Sequence, residues 1–354
     1  MNAVSLRQRF LLFLFALLAV GFLLWEEAAA PIPVHEMRGG TMGTLYSVKL
    51  VDLPRSVALE QLSQSVSELL NRIDRAQMST YVPDSELSLI NASSVGEDIP
   101  LSLEMAQVLE LALDITQLTD GAFDVTVGPL VNRWGFGPED RRADRIPTPD
   151  EIELLLARVG SHHIALDADR RMMRKSADIY IDLSGIAKGY AVDKVAEYLD
   201  SLGVNNYFID IGGELRIRGY KPGNESWVPA IEKPLDTAPQ VHNIFYARGE
   251  SIAVAGSGDY RNYFEADGVH YSHEIDPHSG KPVSHNLAGV YVIDHTAARA
   301  DALATAFMVM GAERGFALAE SLDLAVYFVT RDEARGVFVD SHTSRFDYYL
   351  QSGE

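Results

Sequence analysis

From Tyr207 to the C-terminus the chain reads as strand after strand, and this run constrains the fold more than any other feature. Apolar or alternating stretches fall at Tyr207 to Arg218, Ser251 to Ala255, Tyr260 to Ala266, Val269 to Ile275 and Ala288 to Ile293. Two helices follow, Ala298 to Met310 and Glu313 to Ser321. Leu324 to Thr330, Gly336 to Val339 and Phe346 to Leu350 read as closing strands. Strands in consecutive runs, with helices between the groups, predict an α+β fold of mainly antiparallel sheets rather than a doubly wound parallel one. Residues 219–245 hold several prolines and read as a surface excursion. The sequence has no internal repeat.

The first half holds more helix. Thr44 to Val51 alternates as a strand does. Leu59 to Ile73 and Leu103 to Thr119 carry apolar residues at helical spacing, and Gly121 follows the second. Residues 134–150 read as an exposed loop, and Glu151 to Val159 as a short helix. Ile179-Tyr180-Ile181 reads as a strand end.

Before all this, Arg7 and Arg9 precede an apolar run from Phe10 to Trp25, then Ala28-Ala29-Ala30-Pro31. That is the pattern of an export signal, cleaved or kept as a membrane anchor, with the bulk of the chain outside the cytoplasmic membrane. The same run also suits a buried core helix. Residues 1–30 are thus the signal or anchor, 31–38 a linker and 39–350 one domain. The chain has no cysteine, which excludes disulfides, thiolate metal sites and a lipid-anchored lipoprotein. Its formal charge of -20 argues against a general nucleic-acid binder.

Several short motifs carry chemistry. Asp182-Leu-Ser-Gly-Ile-Ala-Lys-Gly-Tyr190 reads as a tight loop opening a helix. Ser184 is placed to cap that helix, Gly185 and Gly189 to let backbone approach a ligand, and Lys188 to supply a cation where free N–H groups attract phosphate. An ordinary capped turn fits the same residues. On a helix from Ala298, Asp301 and Thr305 stand one turn apart, an oxygen pair suited to Mg²⁺ or to a local hydrogen bond and a solvated charge. His273, near the turn at Asp276-Pro277, is placed as a general base or as a ring packed on a sheet. Asp120-Gly-Ala-Phe-Asp124, running on to Trp134-Gly-Phe136, suits a cradle for a flat aromatic ligand and suits a packed turn equally. Gly40-Thr-Met-Gly-Thr44, Met78-Ser-Thr-Tyr81, Asp210-Ile-Gly-Gly-Glu214 and Ser257-Gly-Asp-Tyr260 complete the set.

Taken in order, these motifs resemble the ApbE family of FAD:protein FMN transferases, from about Gly39 to about residue 340. The resemblance implies a T-fold-related α+β architecture. It implies an enzyme that takes FAD and Mg²⁺, splits the pyrophosphate, joins FMN to a Thr or Ser hydroxyl of a target protein and releases AMP. Carried over by position, Asp301, Thr305 and the Gly185 carbonyl match the metal ligands. Met42, Tyr81, Ala122, Phe123, Asp124, Asp182, Lys188 and Ile275 match FAD-contacting positions, and His273 matches the residue that activates the hydroxyl. Acceptors in this family are subunits of membrane redox complexes carrying a D-x-x-[ST]-G-A-T-like motif, of which this chain has no copy. Glu274 stands where many relatives have an aliphatic residue. Two other activities fit the same residues less fully: an Mg²⁺-dependent FAD pyrophosphatase giving FMN and AMP, and a non-catalytic FAD-binding protein.

Overall fold

The computed structural model describes residues 32–138, 146–260, 262–266 and 268–351. The export signal or anchor, Pro31 and part of the loop at 134–150 lie outside them.

Eight strands form one antiparallel sheet in which spatial order follows chain order. They are β1 (Val34–Thr41), β2 (Thr44–Val51), β3 (Asn206–Ile211), β4 (Glu214–Lys221), β5 (Gly249–Gly258), β6 (Leu287–Asp294), β7 (Ala325–Asp332) and β8 (Val337–His342). Short Glu225–Ser226 pairs with β4 beside this path. The sheet therefore begins inside the segment read as a linker. Four helices matter most: α1 (Leu59–Asn71), α2 (Leu103–Leu118), α3 (Ala187–Ser201) and α4 (Ala297–Ser321). Helix α3 leads into β3 and α4 lies between β6 and β7. Each half of the sheet thus repeats one plan, two strands, a helix, two strands, although the sequence shows no repeat.

Alternation sorts the strand residues between two cores. Val48, Leu50, Ile209, Ile211, Ala255, Val292 and Phe328 point to the helices and join the main core. Leu215, Ile217, Val254, Ile293 and Tyr327 point the other way, onto Trp227, Ile231 and Phe245. The segment read as a surface excursion therefore holds core residues. Its short strands Ala230–Glu232 and Val241–Ile244 pair with each other and cover the outer face of the sheet.

Other local readings change for definite reasons. Ile179 to Ile181 is no strand. Only Tyr180 bridges to Val127, while the Ile181 N–H and C=O bond the Asn91 side chain at 2.7 and 2.9 Å. Phe346 to Leu350 is not a strand either, because Asp347–Leu350 is helical. Phe346 and Tyr349, three apart, both bury in the second core, which a strand cannot arrange. The strand expected over Tyr207 to Arg218 is two, β3 and β4, joined through Gly212 and Gly213 at positive φ. The ones expected at Tyr260 to Ala266 and Val269 to Ile275 shorten to a hairpin, Tyr263–Ala266 with Val269–Ser272, leaving Ile275–Asp276 to pair with Lys281–Pro282. The two helices expected from Ala298 are present as the halves of α4, which breaks at Gly311 (φ 78°).

Candidate active site

A cavity of about 1140 Å³ runs along the rim of the sheet where strand ends meet the first turns of α3 and α4. The β1–β2 hairpin turns on Met42 and Gly43, both at positive φ (48° and 72°). That geometry is costly for methionine. It is held by the Met42 N–H donating to Asp74 Oδ2 at 3.0 Å. Asp74 lies on Arg72–Met78, a π-helical continuation of α1. The regular helix read to Ile73 thus ends at Asn71, and the wider turn presents Asp74, Arg75 and Met78 to the cavity.

Helices α3 and α4 meet at their N-termini. The Gly189 N–H donates to Asp301 Oδ2 at 3.0 Å, and the N–H groups of Ala297 and Ala298 donate to Asp193 at 2.8 and 2.9 Å. Each helix supplies the carboxylate that satisfies the other's free donors. Ser184 therefore does not cap α3; it is exposed, and its N–H donates to Asp182 Oδ1 at 2.8 Å. Gly189 serves this helix contact rather than a ligand. A Cβ there would lie 2.2 Å from the Ala297 carbonyl oxygen. Gly185 abuts Thr305: a Cβ at Gly185 would lie 3.0 Å from Thr305 Oγ1 and 3.2 Å from Phe123.

Lys188 Nζ pairs with Glu214 Oε1. Burial pushes the carboxyls of Glu214, Asp301 and Glu274 up, against the pull of the Lys188 ammonium on all three. Burial also works against the Lys188 charge, but Glu214, Asp301 and Glu274 outweigh it and hold the ammonium above its usual range. Three buried acids around one lysine make the place electronegative, and Glu214 Oε2 is buried with no hydrogen-bond partner. This setting favours a cation. Asp301 is 3% exposed on the cavity wall, one turn from Thr305. Asp301 and Thr305 offer carboxylate and hydroxyl oxygens beside Gly185, an all-oxygen set of the kind that suits a hard divalent ion. Among the described residues no three His, Cys, Asp or Glu side chains gather as a metal cluster.

His273 follows the hairpin strand, and its N–H donates to the Asn262 carbonyl at 3.2 Å. Its Nε2 lies 3.4 Å from Glu274 Oε1, and its ring meets the edge of Phe136 at 6.3 Å. It also lines the cavity.

The twelve residues carried over by position, Met42, Tyr81, Ala122, Phe123, Asp124, Asp182, Gly185, Lys188, His273, Ile275, Asp301 and Thr305, all line this one cavity. They are not equivalent. Tyr81 is 70% exposed at the mouth. The Asp124 carboxylate holds a loop, accepting from Thr126 N–H and Oγ1 at 2.8 and 2.7 Å and from Ser161 N–H at 2.9 Å. Sequence reading passed over Asp74, Asp193, Glu214 and the burial of Glu274. The Asp210-Ile-Gly-Gly-Glu214 motif was the one available signal for Glu214. A smaller cleft of about 630 Å³, between α1 and α3, is lined by Glu68, Arg72, Lys194 and Glu197 and contains none of the motif residues.

Residues 42–328 match the model of the ApbE family. An FAD:protein FMN transferase of Vibrio cholerae is 42% identical over 311 residues, covering 88% of this chain and 92% of that protein. One from Haemophilus influenzae is 39% identical over 325 residues, covering 91% and 93%. Among solved structures, the flavin transferase ApbE from Vibrio cholerae superposes with a TM-score of 0.82 at 39% identity, covering 90% of this chain and all of that one. The apo flavinyl transferase ApbE of Pseudomonas stutzeri gives 0.80 at 38% identity, covering 91% and 99%.

Proposed function

The chain belongs to the ApbE family, and on that premise we propose that it transfers FMN from FAD to a threonine or serine hydroxyl of an acceptor protein, with AMP as leaving group. The observation that carries this reading is the single cavity on which His273, Lys188, Asp301 and Thr305 share a wall with the FAD-contacting positions. The His273 imidazole takes the hydroxyl proton as the oxygen attacks the FMN phosphorus. The P–O bond to AMP breaks and its electron pair leaves with the AMP phosphate. Lys188, kept charged by Glu214, stabilises the negative charge that builds there. Asp301, Thr305 and the Gly185 carbonyl would hold Mg²⁺, which when bound neutralises charge on the pyrophosphate oxygens.

We further propose that the acceptors are subunits of membrane redox complexes, reached on the extracytoplasmic side. The basic and apolar N-terminal segment supports this.

The test is AMP release from FAD and Mg²⁺, with and without an acceptor domain bearing a D-x-x-[ST]-G-A-T-type motif. Transfer requires AMP that rises with acceptor. It also requires a His273→Ala variant that loses about 10²–10⁴ of that rate while binding FAD normally. Equal AMP in both reactions would make the protein a pyrophosphatase, and no AMP in either would leave a flavin-binding protein.

A further inference from the structure

The cavity does not stop at the helix side of the sheet. Along β3 and β4, Asp210 pairs with Leu215, which pairs with Val254 on β5; Gly256 follows two residues on and pairs with Tyr291 on β6. By strand alternation Phe208, Leu215, Gly256 and Tyr291 share the outer face, opposite Ile209 and Ile211. All four of those outer-face residues line the cavity, so it wraps over the rim of the sheet. Phe208, Leu215, Gly256 and Tyr291 are neither FAD-contacting positions nor metal-ligand candidates.

The outer lobe is rigid and adjoins the proposed base. A Cβ at Gly256 would lie 2.8 Å from the Tyr291 ring, and one at Gly258 2.5 Å from the Tyr260 ring. Neither glycine has positive φ, so glycine is needed there for the rings to lie against the strand. The Tyr291 hydroxyl accepts from the Glu232 N–H at 3.0 Å and donates to the Glu232 carbonyl at 3.2 Å, which fixes the ring. Two residues beyond Tyr260, the Asn262 carbonyl holds the His273 N–H.

We propose that this outer lobe is the acceptor subsite, where an extended polypeptide segment lies across the aromatic floor and brings its hydroxyl to His273. The proposal rests on the transfer reading. In-line displacement puts attacking and leaving oxygens on opposite sides of the phosphorus. Lys188, Asp301 and Thr305, which would hold the leaving phosphate and the cation, stand on α3 and α4 at the helix side, so the nucleophile arrives from the other. A floor of fixed aromatic rings and strand backbone suits polypeptide.

Ala230 is exposed, lies on the strand covering the outer face and lines the lobe. In Ala230→Trp the indole fills the lobe. The acceptor KM is expected to rise about tenfold or more, with the FAD Kd within about twofold of wild type. A benzoylphenylalanine cross-linker at position 230 should capture the acceptor domain, and excess FAD should not prevent it. An unchanged acceptor KM in a folded variant would overturn the subsite. So would a cross-link that FAD abolishes, which would give the lobe to the flavin. Failure of the wild type itself to label the acceptor domain would instead overturn the transfer reading, and the subsite with it.

Discussion

The Gly189 N–H at the start of α3 donates to the Asp301 carboxylate of α4 at 3.0 Å. Asp193 of α3 returns the contact to Ala297 and Ala298 of α4. The two helices that repeat in the two halves of the sheet are thereby locked end to end. Contacts within the chain itself thus hold the pair that carries Lys188, Asp301 and Thr305.

This lock depends on a missing side chain. Gly189→Ala places a methyl group 2.2 Å from the Ala297 carbonyl oxygen. Helix separation should cost about 1–3 kcal/mol. Urea denaturation reads this as a lower midpoint at unchanged slope, and the transfer activity assayed with Mg²⁺ should fall with it.

Asp301→Asn keeps an acceptor for Gly189 and removes the buried charge. Without cation the variant should melt no lower than wild type, since burial already disfavours that carboxylate. Mg²⁺ should raise the melting temperature of the wild type and leave the variant unmoved. An equal rise in both would remove Asp301 from the ligand set.

Lys188 and Glu214 answer to each other. Lys188→Met leaves Glu214 buried beside Asp301 without its counter-charge and should destabilise by about 3 kcal/mol. Adding Glu214→Gln should restore much of the stability without restoring transfer. Thermal melts and the transfer assay, run on both variants, separate the structural role from the chemical one.

A pH effect is expected at the loop that Asp124 holds. The His163 ring lies tilted against that of His162, with centroids 4.0 Å apart. Burial, then the neighbouring His162, push its pKa below the ordinary 6.5. A base lowered on folding favours the neutral form, so its stabilising share is complete above about 6.5 and is lost as the pH falls through the folded value. Melting temperature should decline on acidification below that point. His162→Gln should soften the decline; an identical decline would exclude His162 as a contributor.

Legibility in the sequence followed locality. Residues whose neighbours in the chain define them, such as Met42, the Gly121-Ala-Phe-Asp124 turn and the Asp301/Thr305 pair, were found and fall on one cavity. What stayed hidden depends on distant partners. Ser184 looked like a cap because the carboxylate serving α3 is Asp301, 112 residues beyond Gly189. Ile179 to Ile181 looked like a strand because Asn91, 90 residues earlier, takes its hydrogen bonds. Phe346 and Tyr349 were misread because alternation cannot tell a short strand from a single helical turn packed on Tyr327. The repeated plan of the sheet leaves no trace in the residues, since burial fixes the polarity of a position more than its identity.

The most direct test of the central claim is the intact mass of an acceptor domain with a D-x-x-[ST]-G-A-T-type motif after incubation with this protein, FAD and Mg²⁺. Transfer predicts the gain of one phosphoester-linked FMN, absent when EDTA is present. An unchanged acceptor mass while AMP still accumulates would contradict it.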